Sequence, residues 1–133
     1  MTAKAPVIAF VIPCYNEQAG IQHTLTFLLA DMAKLEKSKI ISPKSYVVLV
    51  DDGSTDQTWR LIERITQARP KRVRALKLSR NVGHQNALLA GLLSQIGKAD
   101  ATISLDADLQ DDMSVAAKMV EHFSDGAEIV FAA

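Results

Sequence analysis

Residues 46–56 read YVVLVDDGSTD, an apolar run passing directly into an acidic turn that contains a glycine. Apolar residues at successive rather than alternate positions suit a strand covered on both faces of a parallel sheet. Gly53 permits a tight turn after that strand. Ser54 and Gln57 have capping-box spacing, which predicts a helix beginning just after Ser54. A strand, a turn and the start of a helix follow one another here, and that unit sets the pattern for the chain.

Four further runs read as strands: Val7–Ile12, Val73–Leu78, Thr102–Leu105 and Ile129–Phe131. Before the central unit, Ile21, Leu25, Leu28, Leu29, Met32 and Leu35 recur at helical spacing and predict a helix from about Gln18 to Glu36. The second helix turns Leu61, Ile62 and Ile65 inward and stops before Pro70. A third spans about His84 to Ile96, with Gly97 as its C-cap. The fourth covers about Ser114 to Phe123, with Ala116, Met119, Val120 and Phe123 on one face. This alternation predicts an α/β fold, a doubly wound, mainly parallel sheet with helices on both faces. Ligands of such sheets sit at the carboxyl ends of the strands. Polar clusters fall there four times, at Pro13–Glu17, Asp51–Asp56, Ser79–Gly83 and Asp106–Asp112.

The chain of 133 residues has the length of one domain, without internal repeat or linker. Fifteen basic and fifteen acidic residues give a formal net charge of zero, which offers no electrostatic case for nucleic acid as a partner. The single cysteine, Cys14, excludes an internal disulfide and a cysteine-cluster metal site, and fits a reducing, cytoplasmic compartment. No apolar run approaches the roughly 20 residues needed to cross a bilayer. A soluble chain without a signal peptide is expected.

The strongest chemical signal is DADLQD, residues 106–111, directly after an apolar strand. A turn at the strand's end can bring Asp106 and Asp108 round to one metal ion. Hard oxygen ligands without cysteine or histidine in the cluster favour Mg²⁺ or Mn²⁺ over zinc. An isolated DxD would read as a solvated acidic turn with Asp111 or Asp112 as N-cap; three other polar clusters on the same rim favour the metal. In VDDGSTD, one of Asp51 and Asp52 is expected to bond loop amides and the other can accept a hydrogen bond from a ring N–H of a base; alone, the segment reads equally well as a strand–turn–helix connection. In IPCYNE, residues 12–17, Pro13 stiffens the strand exit, Tyr15 offers a flat ring, and Asn16 or Glu17 begins the first helix. In LSRNVGHQNA, residues 78–87, Arg80 can face a phosphate, and Gly83 with the amides after it forms a helix start suited to an anion. His84 has no evident partner and reads as a surface histidine. Cys14 reads as a small packed side chain, and Trp59, His23 and His122 as structural or exposed.

In this order and spacing, PCYNE, VDDGSTD, LSRNVGHQNALLAGL and DADLQD resemble the first half of family 2 glycosyltransferases. The nearest subgroup is that of dolichol-phosphate mannosyltransferases and bacterial undecaprenyl-phosphate glycosyltransferases. The resemblance runs from Val7 to Phe131 and implies the GT-A fold, with a Rossmann-like nucleotide-binding half. It implies that Pro13, Tyr15, Glu17 and Asp52 line the base and ribose, with backbone near Val50 beside them. Asp106 and Asp108 would hold the metal and the donor diphosphate, catalytic in that sense, with Ala107 and Gln110 contributing and Arg80 nearby. One departure is Met113-Ser114 after Asp112, where relatives usually carry a proline; it bears on the start of the fourth helix.

The implied reaction moves a sugar from a UDP- or GDP-sugar to a polyprenyl phosphate in cell-envelope synthesis. A divalent ion would stabilise the leaving diphosphate. An ionised phosphate acceptor needs alignment more than a general base, and direct attack inverts the anomeric centre. The competing expectation is a receiver-like or other nucleotide- or metal-binding α/β module. In a receiver, however, the acidic pair follows the first strand, and here it follows the second. Relatives continue into an arginine-bearing acceptor loop and, in the lipid-linked subgroup, membrane helices. The chain is therefore expected to hold the donor half of an enzyme at the cytoplasmic face of the membrane, with an uncovered sheet edge prone to self-association.

Overall fold

The two longest apolar runs become the two central strands of a parallel sheet. The structure, a computed structural model, describes residues 4–108 and 113–124. Strand β1 (Ile8–Cys14) and strand β2 (Tyr46–Asp51) are buried at every residue. Strand β3 (Val73–Lys77) adds to β2, and strand β4 (Ala101–Ser104) adds to the other side of β1. The order is β3-β2-β1-β4 and every pairing is parallel, with Val11 opposite both Val48 and Ser104. The run Ile129–Phe131, read as a fifth strand, lies outside the described residues.

Successive side chains of a strand point to opposite faces, so each central strand feeds two cores. On one face Phe10, Ile12 and Leu49 meet Leu25 and Leu28 of helix α1 (Ile21–Lys37), Ile62 of helix α2 (Thr58–Ala68) and Val120 of helix α4 (Met113–Ser124). On the other, Ala9, Val11, Val48 and Val50 meet Ala87, Leu88 and Leu92 of helix α3 (His84–Leu93). Each fully buried Val, Leu, Ile or Phe side chain among them contributes about 1.5–3 kcal/mol by leaving water. Gly91 sets how closely α3 can lie: a Cβ there would stand 2.6 Å from Val11 Cγ1 and 2.7 Å from Val50 Cγ2.

From β1 the chain steps outward to β2 and then β3, and only afterwards returns to the far side of β1 as β4. Connections on either side of the β1–β4 junction therefore run in opposite directions. That reversal opens a crevice beyond the carboxyl ends of these two strands, where ligands of such sheets bind.

Three local expectations need correction. Helix α2 starts at Thr58, and the Ser54–Gln57 capping box does not form: the Ser54 hydroxyl accepts a hydrogen bond from the Asn16 amide at 2.9 Å. Asp56 serves the helix start instead, accepting the Thr58 amide at 2.9 Å. Helix α1 begins at Ile21 rather than near Gln18, the residues before it forming a turn in which the Gly20 and Ile21 amides donate to the Glu17 carbonyl at 3.1 and 2.9 Å. Helix α3 ends at Leu93 and passes into turns, with Gly97 at φ 78° several residues beyond its cap. No described helix is long and apolar enough to cross a membrane.

Candidate active site

The loops leaving β1 and β2 are built as one unit. Backbone joins them first, the Asp52 amide donating to the Cys14 carbonyl at 2.8 Å. Side chains then lace them in both directions. Asn16 donates its amide to Ser54 Oγ and accepts the Thr55 amide on Oδ1 at 2.8 Å. The Glu17 amide donates to Thr58 Oγ1 at 2.9 Å, and that hydroxyl donates onward to Asp56 Oδ1 at 2.5 Å. The Gln57 amide donates to Gln18 Oε1 at 2.9 Å. These bonds satisfy loop amides that neither loop can satisfy alone. They hold Tyr15 outward, 44% exposed, with Glu17 beside it.

The loop after β3 is fixed to the same unit. Asp52 Oδ1 accepts the Val82 amide at 2.7 Å. Gly53, at φ 68°, lets the backbone of Arg80 and Asn81 pass so closely that a Cβ would stand 2.4 Å from the Asn81 nitrogen. The loop after β4 is tied to α1, where the buried Thr24 hydroxyl donates to the Ala107 carbonyl at 2.6 Å. Ala107 is thereby turned inward and its neighbours Asp106 and Asp108 are left exposed.

Together the four exits enclose a cleft of ≈ 420 Å³. Pro13, Cys14, Tyr15 and Glu17 line it from β1, and Asp52 from β2. Asn81, Gly83 and His84 come from the third exit and Asp106, Ala107 and Asp108 from the fourth. Among the described residues, four carboxylates thus share one cleft with a single histidine. Burial raises the pKa of Glu17 above its ordinary value, and the charges of Asp108 and Asp56 raise it further. An acid with a raised folded-state pKa stabilises the fold below its unfolded pKa, and that contribution is lost as pH rises through the folded value. Glu17→Gln is therefore expected to raise the Tm of the ligand-free protein at pH 7 and to leave it unchanged near pH 4. Thermal melts at both pH values check this; a gain that is equal at both would remove the electrostatic explanation.

The donor chemistry of the cleft suits a hard divalent cation. Mg²⁺ is commonly held by one or two carboxylates, with substrate phosphates and water completing its shell. Asp106 and Asp108 meet that requirement in kind. Among the described residues no three His, Cys, Asp or Glu side chains form a self-sufficient metal cage.

A family model described as glycosyl transferase family 2 matches residues 9–133. The chain belongs to glycosyl transferase family 2. It is 44% identical over 131 residues to an uncharacterized glycosyltransferase, YkoT, of Bacillus subtilis (strain 168), covering 98% of this chain and 39% of that protein. To the undecaprenyl-phosphate 4-deoxy-4-formamido-L-arabinose transferase of Pectobacterium atrosepticum it is 34% identical, covering 92% of this chain and 35% of the relative. The chain thus spans little more than a third of the length of these relatives. The mannosyltransferase PcManGT of Pyrobaculum calidifontis, solved with GDP-Man and Mn²⁺, superposes with a TM-score of 0.70 at 24% identity, covering 92% of this chain and 33% of that one. That likeness establishes the GT-A fold. TarS 1–349 of S. aureus, solved in complex with UDP, superposes with a TM-score of 0.57 at 25% identity, covering 87% of this chain and 32% of that one.

Within this family 2 chain, Pro13, Tyr15, Glu17, Asp52, Asp106, Ala107 and Asp108 come together in the cleft. Val50 does not reach it, being wholly buried in the core on the α3 face. Arg80 is exposed and stands outside the cleft wall, its backbone pressed against Gly53. Gln110 lies outside the described residues. Asp51 and Asp52 separate by environment. Asp51 is sealed in, one oxygen 3.3 Å from the Ser54 amide and the other without a partner, while Asp52 opens onto the cleft. Cys14 is packed, and burial, with the charges of Glu17 and Asp51, pushes its thiol up to about 12, so it is no nucleophile at neutral pH. His84 is exposed as expected of a surface histidine, yet it belongs to the cleft wall. Asn81 joins it there. Their signal in the sequence is position alone, since both follow the third strand on the rim that carries the other clusters.

Proposed function

We propose that this chain binds a nucleoside diphosphate sugar in the cleft and forms the donor site of an enzyme that transfers the sugar to a polyprenyl phosphate with inversion. The observation that carries the reading is the convergence of Asp106 and Asp108 with Tyr15, Glu17 and Asp52 at one crevice of the sheet. A flat ring and a buried carboxylate suit a base, and the exposed aspartates suit a cation-bound diphosphate. Relatives named for undecaprenyl-phosphate sugar transfer support the acceptor class, and a UDP complex of a structural neighbour supports the donor class.

In this reading Tyr15 stacks on the base. Asp52, anchored through Oδ1 to the Val82 amide, offers its second oxygen to a ring N–H. Asp106 and Asp108 would hold Mg²⁺ or Mn²⁺. When bound, such an ion supplies charge stabilisation to the departing diphosphate. The Thr24 bond to the Ala107 carbonyl keeps the two aspartates facing the cleft. An ionised phosphate acceptor brings its own nucleophile, so the cleft needs to align it rather than deprotonate it. The reading puts the intact protein at the cytoplasmic face of the membrane, where a water-soluble donor and a lipid phosphate meet.

The test is calorimetric titration with UDP and GDP in the presence of Mg²⁺ or Mn²⁺. Binding of one nucleotide, weakened by chelator, is expected; no binding of either would overturn the reading. A binding module without transferase activity is separated by incubating the intact protein with nucleotide sugars and a polyprenyl phosphate and following glycolipid mass.

A further inference from the structure

We propose that His84 contacts a phosphate oxygen of the bound nucleoside diphosphate, an inference that rests on the nucleotide-sugar reading above. Among the described residues lining the cleft, Glu17, Asp52, Asp106 and Asp108 carry carboxylates and His84 is the one basic side chain. A diphosphate brought among these groups adds negative charge to a wall that is already acidic. A divalent cation offsets part of that charge, and an N–H donor aimed at the phosphate oxygens stabilises what remains.

His84 is placed for that task. It is the first residue of α3, following Gly83, whose φ of 95° turns the chain into the helix. Its Nε2 stands 3.9 Å from Asp106 Oδ1, beyond hydrogen-bond length. Among the described residues no hydrogen bond engages the ring, and the side chain is 60% exposed, so packing does not account for its position. Asp106 is assigned to the cation, and the phosphates that share a cation lie within reach of whatever stands beside its ligands. An imidazole keeps at least one N–H donor whether neutral or protonated, so the contact requires no change of charge. The plainer alternative is a histidine that merely balances the charge of Asp106 at the surface. That role would leave affinity indifferent to the number of phosphates on the ligand.

The experiment compares wild type, His84→Ala and His84→Gln for binding of nucleoside, nucleoside monophosphate and nucleoside diphosphate, in the uridine and guanosine series, with Mn²⁺. His84→Ala is expected to weaken diphosphate binding about tenfold, the scale of one charge-assisted hydrogen bond, and to leave nucleoside binding unchanged. His84→Gln retains an N–H donor and is expected to recover part of the loss. Equal diphosphate affinity in wild type and His84→Ala would overturn the proposal, as would an equal loss for nucleoside and diphosphate. In transfer assays, a raised KM for polyprenyl phosphate alongside unchanged diphosphate affinity would assign the contact to the acceptor and overturn it too. A wild-type chain that binds neither UDP nor GDP would overturn the nucleotide-sugar reading itself, whereas wild-type binding with indifferent variants would overturn the role of His84 alone.

Discussion

Asp108→Asn is expected to lower metal-dependent affinity for UDP or GDP by about 10- to 100-fold, the span of an interaction with a charged partner worth roughly 1.5–3 kcal/mol. Asparagine keeps the shape of the side chain and removes the charge that would face the proposed cation. Asp108 is exposed at the exit of β4, so the fold does not depend on it, and the Tm should stay within a degree or so of wild type. Chelator should reduce the wild type to the affinity of the variant and leave the variant unchanged. If the intact protein carries out the proposed transfer, the loss there should be larger, about 10²–10³ in kcat, because charge on the leaving diphosphate peaks as the sugar–phosphate bond breaks. Calorimetry with Mn²⁺, with chelator and with the variant gives the three values needed. Equal affinity in all three would remove Asp108 from the metal site.

Gly53→Ala is expected to damage both the fold and the site, and to do so without reference to metal. An L residue at φ 68° costs about 1–2 kcal/mol. The new Cβ would also lie 2.4 Å from the Asn81 nitrogen and 2.5 Å from the Arg80 carbonyl carbon. These are backbone atoms, so no rotamer change relieves the contact, and the loop after β3 must move away. The Asp52–Val82 hydrogen bond of 2.7 Å spans that same gap and breaks with it. A loss of about 3 kcal/mol or more follows from strain, overlap and the unpaired buried carboxylate together, which is roughly 10 °C in Tm for a domain of this size. Nucleoside binding should fall even in chelator, which distinguishes this variant from Asp108→Asn. Thermal unfolding and metal-free titration check both halves. An unchanged melt would mean that the loop after β3 is not held where the structure has it.

The reciprocal bonds between the first two loops explain why VDDGSTD extends past its aspartates. Ser54, Thr55 and Asp56 do not line the cleft. They bind the amides and the side chain of the segment from Asn16 to Gln18, and so fix the direction in which Tyr15 and Glu17 point. In the sequence this motif is equally a helix cap, because a serine hydroxyl next to a helix start has the same chemistry whether it bonds its own helix or a neighbouring loop. Only the adjacency of β1 and β2 decides between them.

Much about this protein is local, and the sequence alone determined it. The continuous apolar runs at residues 8–12 and 46–50 require strands buried on both faces, since a strand open to water on one side would alternate. The helical period of Ile21, Leu25, Leu28 and Met32 requires one face against the sheet, and those four residues are buried there. Polar turns after each strand place a polar rim at the carboxyl ends of the sheet, and Asp52, Asp106 and Asp108 lie on it. What tertiary structure decided is which distant groups meet. The Thr24 hydroxyl holds a carbonyl 83 positions away, His84 comes to stand 3.9 Å from Asp106, and Arg80 is turned out of the cleft that its neighbours enter. Periodicity and turn chemistry record the direction of a side chain relative to its own element. The partner it finds depends on the strand order and on how closely the loops pack, and those are set by the whole sheet at once.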